Sequence, residues 1–324
     1  MAPQQAQLPV PGEEAQAHSQ QLIELIQGQI QQHNGQIPFR DFMQLALYAP
    51  GLGYYVAGSR KLGAEGDFVT APEISPLFSH CLAHAIVPLL QGLPEANILE
   101  VGAGSGVMAA EILQYFTDQD QLPAHYYILE LSGELRERQR QRIEQQVPEC
   151  LSRVIWLDEL PEKLSAVVLG NEVLDAMPVN LVSKHDGQWQ ECYVSWQEEG
   201  FRLQTGEVTD ARLTARMTAI EEKYGEAFSE GYTTEINLVA EDWLKALASS
   251  LQQGYVLLID YGFPCHEFYH PQRSTGTLMC HYRHHAHPDP FVYPGLQDIT
   301  AHVDFSAMAE AAYAAGFKVE GYTN

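Results

Sequence analysis

Residues 98–106 read ILEVGAGSG: an apolar run carrying Glu100, then Gly102, Gly104 and Gly106 at alternate positions. Glycines there let the chain turn tightly and let a ligand come close to the backbone. The next residues, GVMAAEILQYF, have helical spacing. A helix opening on the loop points free N–H groups and the positive end of its dipole at the ligand. A phosphate-binding loop needs Gly-Lys-Ser/Thr, which is absent, and a dinucleotide loop needs GxGxxG, whereas Val107 stands three residues after Gly104.

The remaining form, E-x-G-x-G-x-G, resembles motif I of class I S-adenosylmethionine-dependent methyltransferases. That resemblance implies that Glu100 and the glycines hold the methionine part of the cofactor. One βαβ unit later, YYILELS ends in Glu130, where a carboxylate can accept two hydrogen bonds from ribose hydroxyls. Asp158 follows RVIWL; it is either an adenine contact, as in methyltransferases, or a cap on a following helix.

A third set of polar residues closes the run SAVVLGNEVLDAMP: Asn171, Glu172 and Asp175. In class I methyltransferases this edge faces both the methyl group and the substrate. Methyl transfer from a sulfonium has a neutral leaving group, so catalysis rests on alignment and electrostatics. A carboxylate suits a cationic or N–H-bearing nucleophile and can grip a guanidinium bidentately. Glu172 reads as a site residue. Asp175 reads equally as a site residue or as the cap of a helix opening at Ala176-Met177-Pro178. The Asn/Asp-Pro-Pro-aromatic clamp of DNA amino-methylating enzymes is absent.

Residues 281–291, HYRHHAHPDPF, offer His281, His284, His285 and His287 as metal ligands. Their spacing, even with Cys265, His266, His270 and Cys280, matches no zinc pattern. Pro288 and Pro290 break any helix that would align His281 with His285. The stretch is expected to be a loop beside the active edge, with no metal. His302 and Asp304 in TAHVDF are candidates for the same edge.

The elements that must position these groups follow from the patterning. Residues 1–18, rich in Gln and Pro, read as a disordered tail. Leu22, Ile23, Ile26 and Ile30 have helical spacing, as does the first half of IPFRDFMQLALYAPGLGYY, up to Pro50-Gly51. GSRKLGAEGDFVTAPEISP reads as an ordered loop and PLFSHCLAHAIVPLLQG as a third helix, so residues 19–95 form a helical extension. From residue 96, apolar strands alternate with helices, which means βαβ units and a mostly parallel α/β sheet in a domain running to residue 324. Residues 180–254 interrupt it as an insertion: a meander of antiparallel strands to about 206, then helix over 210–250. GYVLLIDYG is a fifth buried strand. DFSAMAEAAYAAGFKVEGYTN reads as a helix and a terminal strand, leaving the last strand of the sheet possible only beyond this point.

The formal charge is -24, with 42 acidic against 18 Lys and Arg residues. Such a surface repels phosphate backbones and suits a basic partner. The 5 cysteines are spread out, with no CxxC pair, as in a reducing compartment. No apolar run is long enough to span a bilayer. The first residues carry neither a secretory nor an Arg-rich transit pattern. A cytoplasmic protein without membrane insertion is expected.

GYY, GDFVTAPEIS, ILEVGAGSG, ILELS, GNEVLDAMPV, LLIDYG and TAHVDF occur in this order. The set resembles the MidA family, the mitochondrial complex I assembly-factor methyltransferases. The resemblance implies a class I (Rossmann-like) methyltransferase fold with an N-terminal extension and an insertion, and S-adenosyl-L-methionine as cofactor. It implies arginine methylation of a respiratory complex I subunit in mitochondria. It carries cofactor roles to Glu100, Gly102, Gly104, Gly106 and Glu130, and active-edge roles to Asn171 and Glu172. Gly66, Asp67, Phe68, Pro72, Glu73 and Ser75 match a block expected to close over the cofactor, where Asp67 and Glu73 would favour a cation. A small-molecule methyltransferase and a non-catalytic assembly factor that keeps the fold are the alternatives.

Overall fold

The computed structural model describes residues 8–57, 70–198, 200–225 and 228–323. The chain enters through α1 (Glu13–Gln32), β1 (Gln36–Pro38) and α2 (Phe39–Tyr48). A four-residue α3 (Ala71–Ile74) and α4 (Pro76–Gln91) follow. Strand and helix then alternate: β2 (Ile98–Val101), α5 (Val107–Asp118), β3 (Tyr126–Leu129), α6 (Gly133–Gln146), β4 (Val154–Leu157) and β5 (Leu164–Asn171). Next come β6 (Asn180–His185), β7 (Gln188–Gln197), β8 (Gly200–Gly206), α7 (Ala211–Tyr224), β9 (Thr233–Ile236) and α8 (Leu238–Ser250). The last elements are β10 (Leu251–Ile259), β11 (Gly262–Phe263), α9 (Cys265–Phe268), β12 (Met279–Tyr282), β13 (His285–His287), β14 (Asp298–Thr300), β15 (Val303–Asp304) and α10 (Phe305–Ala314).

The central sheet is parallel throughout, in the order β10-β5-β2-β3-β4. Alternate residues of each strand feed opposite layers. Ile98, Ile128, Val167 and Leu169 pack with α4, α5 and α6 residues such as Ile86, Ile112 and Ile143. Leu99, Val101, Ala166 and Val168 pack with Leu247 and Trp243 of α8. The chain leaves β2 toward β3 and β4, then returns to the other side with β5. The crevice at the carboxyl ends of β2 and β5 is therefore the switch point where ligands bind in open α/β sheets.

A second layer is built from pieces distant in sequence. The antiparallel sheet β1-β7-β6-β9, with β8 on β7, takes its edge strand β1 from the N-terminal extension. Leu22, Ile26 and Ile30 of α1 and Phe39, Phe42 and Met43 of α2 pack on Leu181, Cys192 and Val194 of that sheet. Each such side chain contributes roughly 1.5–3 kcal/mol when buried, so extension and meander hold each other in place.

Four segments differ from the sequence reading. Glu13–His18, expected in an unstructured tail, open α1, and the His18 ring bonds Leu52 O at 2.9 Å. The helical stretch expected over 210–250 is split by β9, whose Thr234 and Glu235 are buried against β6. The helix after it, α8, packs on the parallel sheet and leads into β10. Residues 281–287 are a hairpin, not a loop. Arg283 and His284 both take left-handed φ, at 45° and 61°, between the paired Tyr282 and His285. That two-residue turn matches the natural twist of paired strands. Finally, residues 317–323 form no strand; Lys318 and Glu320 pair with each other at 2.8 Å in an exposed segment, without a neighbouring strand to satisfy the backbone.

Candidate active site

The glycine loop leaves β2 with Gly102, Gly104 and Gly106 all at positive φ, at 66°, 54° and 81°. At Gly106 a Cβ would stand 2.9 Å from Gln139 Cα, so α6 approaches the loop only because the side chain is missing. Gln139, fully buried on α6, clamps the loop. Its Nε2 donates to Gly104 O at 3.0 Å and to Glu130 Oε2 at 3.0 Å, while its Oε1 accepts from Trp156 Nε1 at 2.9 Å. It lies inside the charged helix GELRERQRQRIEQQ, where nothing in its spacing marks one glutamine as different.

Glu100 is buried under the loop and accepts from Tyr126 Oη at 2.6 Å. Burial pushes its carboxyl up to about 7, against the pull of the tyrosine bond. Glu130 ends β3 and accepts from Ser132 N at 2.9 Å. Burial raises its carboxyl too, while these donors and Arg136 draw it down. Asp158 is mostly exposed, pairs with Arg136 at 2.7 Å and lines the same crevice. No helix follows it, so it does not serve as a cap.

These residues enclose a cavity of about 450 Å³ reaching from Glu130 and Asp158, along the glycine loop, to Asn171 and Glu172. Leu129, Leu131, Met108, Met177 and Trp243 make much of the lining apolar. From the front, Thr70, Pro72 and Glu73 complete the wall, and Glu73 accepts a hydrogen bond from Ser105 Oγ in the glycine loop. The PEIS block thus closes onto the loop, while Gly66, Asp67 and Phe68 lie outside the described residues.

The active edge follows β5. Glu172 takes a left-handed φ of 51°, an uncommon conformation for a non-glycine residue. What holds it is Asp260, at the end of β10. Its Oδ2 accepts from the backbone N–H of Val173 at 3.0 Å, Leu174 at 2.8 Å and Asp175 at 3.3 Å. Asn237 adds a side-chain bond to Leu174 O at 3.2 Å. Asp175 caps no helix: residues 173–177 form a turn, and its own carbonyl accepts from Ala301 N at 2.9 Å. Asp260 is in LLIDYG, and its role appears only when β10 lies beside β5.

Glu172 and Tyr55 line the first cavity and also a second, of about 770 Å³, on the other side. Asp175, Asp298, His281 and His302 face the second cavity as well. Tyr55 Oη donates to Asp298 Oδ1 at 2.9 Å, and the ring of Tyr48 stacks on Tyr55 with centroids 5.5 Å apart. Burial, then the charge of Asp260, raises the Glu172 carboxyl, against hydrogen bonds from Asn171 and the Ala71 backbone. Asp175 is held well above the usual range by burial and by Asp260, Asp298 and Glu172. Carboxylates this close disfavour one another's charge until a cation joins them. Tyr55 and Asp298 are absent from the sequence-derived site; GYY was the only signal for the tyrosine, and none marked Asp298.

His302 lines the second cavity with its Nδ1 buried and without a hydrogen-bond partner, and burial lowers its basicity. Asp304 sits outside both large cavities and caps α10, accepting from Ser306 N at 3.0 Å and Ala307 N at 3.1 Å. Among the described residues, no three His, Cys, Asp or Glu side chains converge as metal ligands. Nor is any described helix long and apolar enough to cross a membrane.

The first cavity fits S-adenosyl-L-methionine by its own chemistry. A Cβ-free loop lets the backbone approach the ligand. The carboxylate of Glu130 stands at a strand end where it could accept from ribose hydroxyls, and apolar side chains such as Leu129, Leu131 and Met108 line the same crevice. Known proteins agree. The S-adenosyl-L-methionine-dependent methyltransferase family model Methyltransf_28 matches residues 81–323. A COG1565 superfamily member from Burkholderia thailandensis, crystallised with S-adenosyl-homocysteine, superposes with a TM-score of 0.90 at 46% identity, over 95% of this chain and 80% of that one. A native structure of a COG1565 superfamily protein from the same organism gives 0.87 at 46% identity. The mitochondrial protein arginine methyltransferase NDUFAF7 homolog of Drosophila melanogaster is 29% identical over 87% of this chain and 68% of its own length. The Mus musculus NDUFAF7 is 28% identical over 86% of this chain and 66% of its own, so the chain spans about two thirds of these relatives. The chain belongs to the MidA-type family of S-adenosyl-L-methionine-dependent methyltransferases.

Proposed function

We propose that the chain methylates an arginine side chain of a protein. The observation that carries this reading is the meeting of Glu172, Asp175 and Asp298 beside Tyr55, where the two cavities join. Burial, with the charge of Asp260, raises the Glu172 carboxyl, and burial with the charges of Asp260, Asp298 and Glu172 raises that of Asp175; a guanidinium placed there favours the charged form of both. The cofactor supplies an electrophilic methyl group. The chain must hold one guanidinium nitrogen toward it and take up the proton that this nitrogen gives away. Glu172 has the reach for a bidentate grip, which fixes the direction of the reacting nitrogen. Asp175, poised to stay protonated without a cation and to ionise beside one, can exchange the proton. The net charge of -24 favours approach of a basic protein surface. The printed names of the mitochondrial relatives support arginine as the acceptor. A respiratory complex I subunit, which the family resemblance implies, is the first acceptor to try.

The test is transfer of labelled methyl from S-adenosyl-L-methionine into lysate proteins by the wild type and by Glu172→Gln. Methylarginine formed by the wild type and reduced by about a hundredfold or more in the variant, with cofactor affinity retained, is expected. Label confined to lysine or to small molecules sinks the arginine reading.

A further inference from the structure

The second cavity is much larger than its acidic floor needs, and its remaining wall has a different character. One stretch of it is apolar, with Phe39 from α2, Leu203 from β8, and Pro288, Pro290 and Phe291 from the segment after the hairpin, while Arg273, Thr275, Thr277 and His302 line another part. Each comes from outside the parallel sheet. The wall is rigid. Phe291 packs edge-on against Phe42 with centroids 5.1 Å apart and lies 5.8 Å from Phe201. The buried Gln297 donates from Nε2 to Asp289 O at 3.2 Å and Pro290 O at 2.9 Å, which holds the prolines in one turn. Leu203 nevertheless stays 44% exposed, although it shares its face of β8 with the buried Phe201 two residues before it. A rigid apolar wall with an exposed leucine is a surface left for a ligand.

From this we infer that the second cavity is a peptide subsite that reads an apolar side chain next to the acceptor arginine. The inference rests on the arginine reading above. The acidic floor and the apolar wall share one cavity of about 770 Å³. At about 3.4 Å per residue, an extended acceptor segment passes two or three residues through a space of that size. The guanidinium occupies the Glu172, Asp175 and Asp298 end by charge, so a neighbour along the peptide meets Leu203 and Phe291. Against those two side chains a polar neighbour would lose its water without gaining a hydrogen bond. The PDPF sequence after the histidines thereby acquires a function in substrate choice.

The full chain, saturated with S-adenosyl-homocysteine, is titrated with fluorescent pentapeptides in which a central arginine is flanked by leucines or by serines. Methyl transfer to the same peptides is followed in parallel with S-adenosyl-L-methionine. The leucine-flanked peptide should bind about tenfold tighter or more, the scale set by burying one apolar side chain. Leu203→Ser should shrink that ratio to about threefold or less, with the affinity for S-adenosyl-homocysteine unchanged as the check on folding. Equal binding of both peptides, binding of neither, or a preference that survives Leu203→Ser and Phe291→Ser alike overturns the subsite. A leucine preference in binding without any methylarginine keeps the subsite and removes the arginine reading instead.

Discussion

Tyr55 Oη hydrogen-bonds Asp298 Oδ1 at 2.9 Å across 243 positions of chain. The bond joins the N-terminal extension to the first residue of β14 at the wall between cofactor and acceptor. Tyr55→Phe keeps the stacked ring and removes only the donor, leaving a buried carboxylate less satisfied. A stability loss of about 1–2 kcal/mol is expected. Peptide KM should rise several-fold while S-adenosyl-L-methionine affinity stays within about twofold. Thermal unfolding with calorimetric titration of the cofactor checks both; a parallel loss of cofactor affinity would show that the bond supports the first cavity as much as the second.

Asp260 gathers three consecutive N–H groups of the turn that carries Glu172. Asp260→Ala leaves those donors buried and releases the left-handed Glu172. We expect about 2–4 kcal/mol of lost stability and a fall in kcat larger than the change in cofactor affinity. Denaturant unfolding and steady-state kinetics read the two effects.

Burial pushes the Glu100 carboxyl up to about 7 in the folded protein, from its ordinary value of 4.5. Between these values the folded state holds more protons than the unfolded one, so this residue's contribution to stability declines as pH rises through that window. The stabilising proton is fully present below about 4.5, and above about 7 the charged form carries its whole burial penalty. Glu100→Gln should therefore gain in Tm relative to the wild type as pH goes from 5 to 8, in the absence of cofactor. A difference in Tm that is flat with pH is the contrary result.

Gly106→Ala places a methyl 2.9 Å from Gln139 Cα at a φ of 81°. The clash with backbone forces α6 away from the loop, and with it the Gln139 bonds to Gly104 and Glu130. Cofactor affinity should fall by about tenfold or more, with a stability cost on the order of 2 kcal/mol. Gly133→Ala, at a position where a Cβ meets no atom within 4 Å, serves as the silent comparison.

Arg283 and His284 hold left-handed backbone that neither residue favours. Replacing the pair by Asn-Gly, which suits such a turn, should raise stability by about 0.5–1 kcal/mol without changing the S-adenosyl-L-methionine affinity. Chemical denaturation of the double variant measures the gain.

Much of this molecule is written in local pattern. Apolar runs ending in NILEVGAG, YYILEL and VVLGNE alternate with helical spacing, and short-range periodicity is enough to set strand, helix and the parallel sheet between them. The glycines of the cofactor loop were legible for the same reason: a positive φ is a local demand on one residue type. The antiparallel meander was legible too, in its alternation, but not β1, a three-residue edge that exists only because β7 offers it hydrogen bonds. Neither was β9, embedded in a stretch with helical character on both sides.

What the sequence by itself determined is the order of the βαβ units, the glycine loop with Glu100 and Glu130, and the acidic edge at Glu172. What only the tertiary structure decided is the company these groups keep. Asp260 supports Glu172 because β10 docks in register beside β5, with Ile259 opposite Asn171. Tyr55 and Asp298 meet because α2 and β14 pack on one apolar core. Periodicity records which face of an element is apolar, and it carries no information about which distant face will cover it. That pairing is set by the shape and volume of the whole core, so contacts between residues far apart in the chain, and the substrate wall they build, emerge only when the chain is folded.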